Sequence, residues 1–128
     1  MKSNGLYWTD SNNNSWLKSE NTKKQAEEKS STMIDCRGCS GCSYCRGCRD
    51  CIDFTTNPMR YTGQIMGSRK SQTTTYWTVD KNQVTCGCFR GTIDEFEAKV
   101  NSVYSGHHHG VEYAKYIKIV RAIMEMEK

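Results

Sequence analysis

Cys36-Arg37-Gly38-Cys39-Ser40-Gly41-Cys42-Ser43-Tyr44-Cys45-Arg46-Gly47-Cys48-Arg49-Asp50-Cys51 places a cysteine at every third residue, six in succession. A helix repeats about every 3.6 residues and a strand about every 2, so this period belongs to neither. Along a helix the cysteines would drift round the axis, and along a strand they would alternate faces. Two arrangements suit the spacing. One is a metal–thiolate loop, because Cys-x-x-Cys brings two sulfurs to one ion. The other is a narrow solenoid in which each cysteine points inward and the two residues between them turn the chain back.

The intervening pairs favour the solenoid. They read Arg-Gly, Ser-Gly, Ser-Tyr, Arg-Gly and Arg-Asp, so Gly or Asp comes second in four of five. Both residue types tolerate the positive φ that a turn at each step demands. Counting by three also puts Met33 before the run and Phe54 after it, as apolar plugs for a stacked core. The metal reading is the alternative, at Cys36, Cys39, Cys42 and Cys45. An iron–sulfur run needs a longer last gap and a following proline. Zinc sites join two separated knuckles. The expectation is therefore a thiol-lined solenoid without a cofactor, with zinc or iron–sulfur second and disulfides third.

The chain has 128 residues, 36% hydrophobic, with a single proline. One domain with a modest core is expected over residues 1–128. No stretch has the length of a membrane span, and the N-terminus lacks an apolar export segment. Both point to a reducing cytoplasm, where thiols stay free. The net charge is +4, and residues 37–70 hold Arg37, Arg46, Arg49, Arg60, Arg69 and Lys70 against Asp50 and Asp53. If cysteines fill the inside of the solenoid, its arginines lie outside, with Tyr44 nearby, either as a solvated edge or as a contact surface for something acidic.

The expected class is α+β: an N-terminal β-hairpin and helix, a short cysteine-lined solenoid, a small antiparallel sheet and two C-terminal helices. Residues 1–32 carry the hairpin and helix. Leu6-Tyr7-Trp8-Thr9 and Ser15-Trp16-Leu17 flank the turn formers Asp10 to Asn14, with the tryptophans as packing anchors, and Thr22 with Gln25 forms a capping box. The solenoid takes 33–54. Antiparallel strands fill 55–91, near 59–62, 73–79 and 84–89, with a loop from Gly63 to Gln72. Cys86 and Cys88 are placed on one strand, facing the same way. Residues 92–128 form the two-helix tail. Thr92 with Glu95 opens the first helix, whose stripe is Ile93, Phe96, Val100 and Val103, and Gly106 stops it. Tyr113, Tyr116, Ile117, Val120, Ile123 and Met124 line one face of a helix from about Val111 to Met126. His107-His108-His109 reads as a polar interhelical loop, because three consecutive side chains of a regular element do not converge on one ion.

No phosphate loop, nucleophile elbow or deaminase motif is present, so a non-enzymatic protein is expected. Asn4-Gly5-Leu6-Tyr7-Trp8, the entry Met33-Ile34-Asp35-Cys36 and the tail from Cys86-Gly87-Cys88-Phe89-Arg90-Gly91 to Glu97 resemble small uncharacterised phage and prophage accessory proteins with such a cysteine ladder. That family has no established active site, so the resemblance transfers no functional residue. It implies an inhibitor acting in the host cytoplasm on a defence protein or ribonucleoprotein, such as a CRISPR effector. Arg37, Arg46, Arg49, Arg60 and Tyr44 would make the contact, through carboxylates or RNA phosphates. The alternative is a sponge for a cyclic or ADP-ribose-type nucleotide. Trp77 or Phe89 would stack the base, and Arg90 and Arg121 would hold phosphates at a homodimer seam of the last helix.

Overall fold

A computed structural model describes residues 1–63, 72–87 and 89–126. The protein is α+β, and its contacts group into two compact units, Met1–Pro58 and Met59–Lys128. Pro58 closes the first unit, and a proline biases the residue before it toward extended backbone.

The first unit opens with a three-stranded antiparallel sheet of β1 (Lys2–Asn4), β2 (Tyr7–Thr9) and β3 (Ser15–Leu17). Trp8 pairs with Trp16 across the expected hairpin. The extra strand, β1, turns into β2 through Gly5 at φ +60°. The helix α1 (Lys23–Ser31) starts at the Thr22–Gln25 capping box and buries only Ala26.

The cysteine run is a solenoid. Ile34 pairs with Arg46, Arg37 with Arg49 and Ser40 with Ile52, all parallel and each offset by twelve residues. One turn is thus four triplets. The residue before each inward position (Asp35, Gly38, Gly41, Tyr44, Gly47, Asp50, Asp53) has φ between 54° and 71°. Glycine, and to a lesser degree aspartate, reach this conformation cheaply; Tyr44 is the exception. Successive turns exchange backbone bonds, such as Arg37 N to Cys48 O at 3.1 Å and Asp50 N to Arg37 O at 3.0 Å.

The ends of the solenoid are closed by side chains. Phe54 is 1% exposed, as a plug should be, but Met33 is only half-buried. At the N-terminal end the plug is Trp16, 0% exposed, its Nε1 donating to Cys42 O at 2.9 Å. Ser15 joins Ser40 in a further parallel bridge, so β3 runs on into the coil as part of an extra turn.

The second unit is a four-stranded antiparallel meander, β4 (Met59–Thr62), β5 (Thr73–Trp77), β6 (Asn82–Cys86) and β7 (Phe89–Gly91). The helices α2 (Ile93–Tyr104) and α3 (His108–Met126) share one core with it, built on Val84, Phe96, Val100, Tyr116, Ile117 and Val120. The single strand expected over 84–89 is two strands. Gly87 takes φ +57° and turns β6 into β7, pairing Cys86 with Phe89. Cys88 and most of the loop expected from Gly63 to Gln72 lie outside the described residues. Val103, expected in the apolar stripe of α2, is 57% exposed. The tail helix begins at His108, a turn earlier than expected.

Tyr116 joins helix to sheet. Its hydroxyl meets Thr75 Oγ1 at 2.9 Å and donates to Tyr61 O at 3.0 Å. Burial pushes the Tyr116 phenol up to about 12, and the Tyr113 phenol is raised by burial and then by Cys86. The folded state therefore holds these protons more tightly than the unfolded chain, whose tyrosines titrate near about 10. Stability is complete below that pH and falls as pH rises from about 10 through 12, which urea denaturation at stepped alkaline pH will show. In the solenoid, a Cβ at Gly41 would strike Asp53 Oδ1, whereas nothing lies within 4 Å of one at Gly5. Both glycines have positive φ. Gly41→Ala should therefore cost more than the about 1–2 kcal/mol of the backbone effect alone, and Gly5→Ala no more than that, by chemical denaturation.

Candidate functional site

All six solenoid cysteines are buried, each at most 1% exposed, and all are free thiols. Each Sγ donates to the carbonyl two residues before it, from Cys36 to Ile34 O at 3.4 Å through to Cys51 to Arg49 O at 3.7 Å. Cys36, Cys42 and Cys45 also reach the carbonyls of Cys45, Cys51 and Phe54. The thiols also neighbour one another: Cys39 lies against Cys42 and Cys51, Cys45 against Cys42 and Cys48, and Cys51 against Cys48. The five close into a ring.

This ring fixes the electrostatics. Cys42 is raised by its contacts with Cys39 and Cys45 and then by burial, and Cys51 by its contacts with Cys39 and Cys48 and then by burial. Burial raises Cys36. Cys39 is drawn down by its contacts with the Cys42 and Cys51 thiols. A tetrathiolate ion at Cys36, Cys39, Cys42 and Cys45 would require these thiols to lose their protons and their carbonyl bonds together. The geometry is that of filling.

The arginines ride on the outside. Arg37 lies directly over Arg49, and Arg46 lies under Ile34 on the neighbouring wall. All three are exposed. Arg49 folds back, its Nη1 donating to Asp35 O and Cys48 O. The coil also carries Asp35, Asp50 and Asp53, so its three arginines are matched in number by three carboxylates. Along the coil the charge expected over residues 37–70 is thus mixed in sign. The remaining described cation of that stretch, Arg60, belongs to the second unit, where it lies over the Tyr76 ring at 5.4 Å. Arg69 and Lys70 lie outside the described residues. Tyr44 is 68% exposed. It borders a groove of about 340 Å³ lined by Glu20, Asn21, Glu28 and Lys29.

The residues expected to hold a nucleotide are not arranged to do so. Trp77 is 4% exposed and offers no face for stacking. Phe89 packs on Phe96, ring centroids 5.4 Å apart, under the Lys99 ammonium. Arg121 is held by Asp94 at 2.6 Å and Glu97 at 2.9 Å, which leaves it committed to carboxylates of α2. Arg90 is exposed on β7.

Two features escaped sequence reasoning. Asn14, 1% exposed, donates to Cys36 O at 3.0 Å and accepts from Cys39 N at 2.9 Å. Asp10 in turn accepts from Asn14 N at 2.9 Å and Ser30 Oγ at 2.7 Å, tying α1 to the same end of the coil. The Asp10–Asn14 stretch was legible as turn formers, but nothing in it signalled a cap for a distant element.

Thiol reagents should accordingly leave the six solenoid cysteines unmodified in the native protein and label them at the rate of unfolding. Mass spectrometry of peptides after timed alkylation checks this, and labelling of Cys39 ahead of unfolding would contradict the buried ring. Comparison with protein-family models, with curated proteins and with solved structures finds no match to the chain.

Proposed function

We propose that the protein is a non-enzymatic binding module whose solenoid wall occupies a surface of a host defence complex, such as a CRISPR effector, and blocks it. The supporting observation is the column of Arg37 over Arg49 on a hydrogen-bonded parallel rung. Rungs of this kind stand about 4.8 Å apart, so the column holds two arginine positions at a fixed pitch on a rigid wall, with Arg49 Nη1 already donating to Asp35 O and Cys48 O. Arginine pairs with carboxylates in a planar, bidentate way that a lysine cannot copy. Ile34 at 48% and Ile52 at 40% exposure add apolar contact on the adjoining walls.

The charge pattern favours protein over RNA as the partner. Asp35, Asp50 and Asp53 alternate with the arginines and would repel a phosphate backbone. A protein surface with its own alternating charges matches them and gains specificity from the register. A second copy of the chain is a weaker proposal. The apolar stripe of α3 is used on its own sheet, so a seam would fall to Val111, Ile119 and Met126 on the exposed side.

Expression of the protein in a CRISPR-defended host should restore plaque formation by a targeted phage. The Arg37→Glu/Arg49→Glu variant, folded by circular dichroism, should lose at least about tenfold of that effect, since a desolvated interfacial charge pair is worth about 2–5 kcal/mol. Equal protection by the variant would remove the column from the interface. No protection by the wild type across a panel of defences would remove the function.

A further inference from the structure

The histidines ahead of α3 gather instead of dispersing along a loop. His107, His108 and His109 each bring one ligand nitrogen within 4.8 Å of the others. Their ring centroids lie 4.0 to 4.8 Å apart. The expectation that three consecutive side chains cannot converge assumed one regular element. His107 instead precedes the helix, at the end of a tight turn closed by His107 N to Tyr104 O at 2.8 Å. The change of backbone direction at Gly106, φ +75°, lets it swing over the two that follow.

A second observation points to a ligand. His109 Nδ1 meets Glu112 Oε1 at 3.1 Å, one turn along the helix. A carboxylate on Nδ1 fixes the ring as its Nδ1–H form and leaves Nε2 with a lone pair, as in metal-ligating histidines. His107 Nδ1 accepts from His109 N at 3.2 Å, the long end of the range for such a bond. His108 is exposed, and its ring lies against those of His107 and His109.

We infer that His107, His108 and His109, with Glu112 behind His109, form a site for a divalent transition metal of the zinc, nickel or cobalt type. His109 ligates through Nε2. His107 ligates through Nδ1, exchanging one long amide bond, a weak one on balance, for a metal–nitrogen bond. A tetrahedral ion with bonds of about 2.0–2.1 Å needs its nitrogens about 3.4 Å apart. The trio closes that difference by rotating the exposed His107 and His108, and water completes the coordination. A cation at a helix N-terminus is opposed by the helix dipole, and the Glu112 charge offsets this. The ion would staple the α2–α3 turn, where Gly110 already packs so closely on Tyr104 O that a Cβ has no room. The site stands apart from the solenoid and does not rest on the partner-binding proposal.

Cobalt(II) titration of the chelator-treated full chain, under reducing conditions, separates this site from the cysteines. Expected is one equivalent bound with weak visible bands of nitrogen–oxygen coordination and no thiolate-to-cobalt charge transfer. His107→Asn and His109→Asn should each lower affinity at least about tenfold, and Glu112→Gln about 10–100-fold. Zinc should raise the melting temperature of the wild type and not of His109→Asn. No uptake, uptake unchanged in all three variants, or a charge-transfer band showing the metal on cysteine would each overturn the assignment.

Discussion

The solenoid depends on a left-handed residue at every third step. A backbone that turns back this often can stack only if each such residue fits over the one twelve positions later. Gly38 stands against Asp50 and Gly41 against Asp53, and a Cβ at either glycine would run into the aspartate's carboxylate. Asp35 falls over Gly47 by the same register. Each of these columns therefore holds one glycine and one aspartate. The alternation that looked like interchangeable turn chemistry is a packing rule between turns.

Cysteine follows from the same narrowness. Twelve residues per turn leave an interior too thin for leucine, and alanine would leave voids lined with unfilled surface. A thiol is small, polarizable and a weak donor, so it fills the space and still reaches a carbonyl. Where the stack ends, the missing turn is supplied by side chains. Asn14 serves Cys36 and Cys39, Thr32 Oγ1 accepts from Tyr44 N at 2.8 Å, and Asn57 Oδ1 accepts from Arg46 N at 3.0 Å. Buried backbone groups must find partners, and a short solenoid meets that requirement at its ends as a helix does.

Much of this was legible because it is local. The period of three, the positive-φ residues, both capping boxes and the buried face of α3 are encoded within a few residues, and all are present. What was missed is non-local or depends on one dihedral. Trp16 sits twenty residues before the first solenoid cysteine, and no periodicity links it to the coil whose end it covers. Gly87 lies in a run of strand formers, and only its φ of +57° reveals that the run is a hairpin. β1 is too short and polar to alternate visibly. The grouping of three histidines required the turn at Gly106, which sequence reading had taken only as a helix stop.

Charge was the least legible property for the same reason. Summed along residues 37–70, the arginines made a basic segment, but the columns distribute them differently. Asp35, just outside that window, enters the coil and its carbonyl takes Arg49, while Arg60 belongs to the other unit. A wall with equal numbers of both signs has little long-range field, so it would not draw a polyanion from a distance. Its information lies in spacing: which sign occupies which rung, at a pitch fixed by backbone bonds. Recognition by such a surface is decided at contact, by geometry and by the cost of mismatched charges. A rigid protein partner satisfies that condition better than a flexible nucleic acid does.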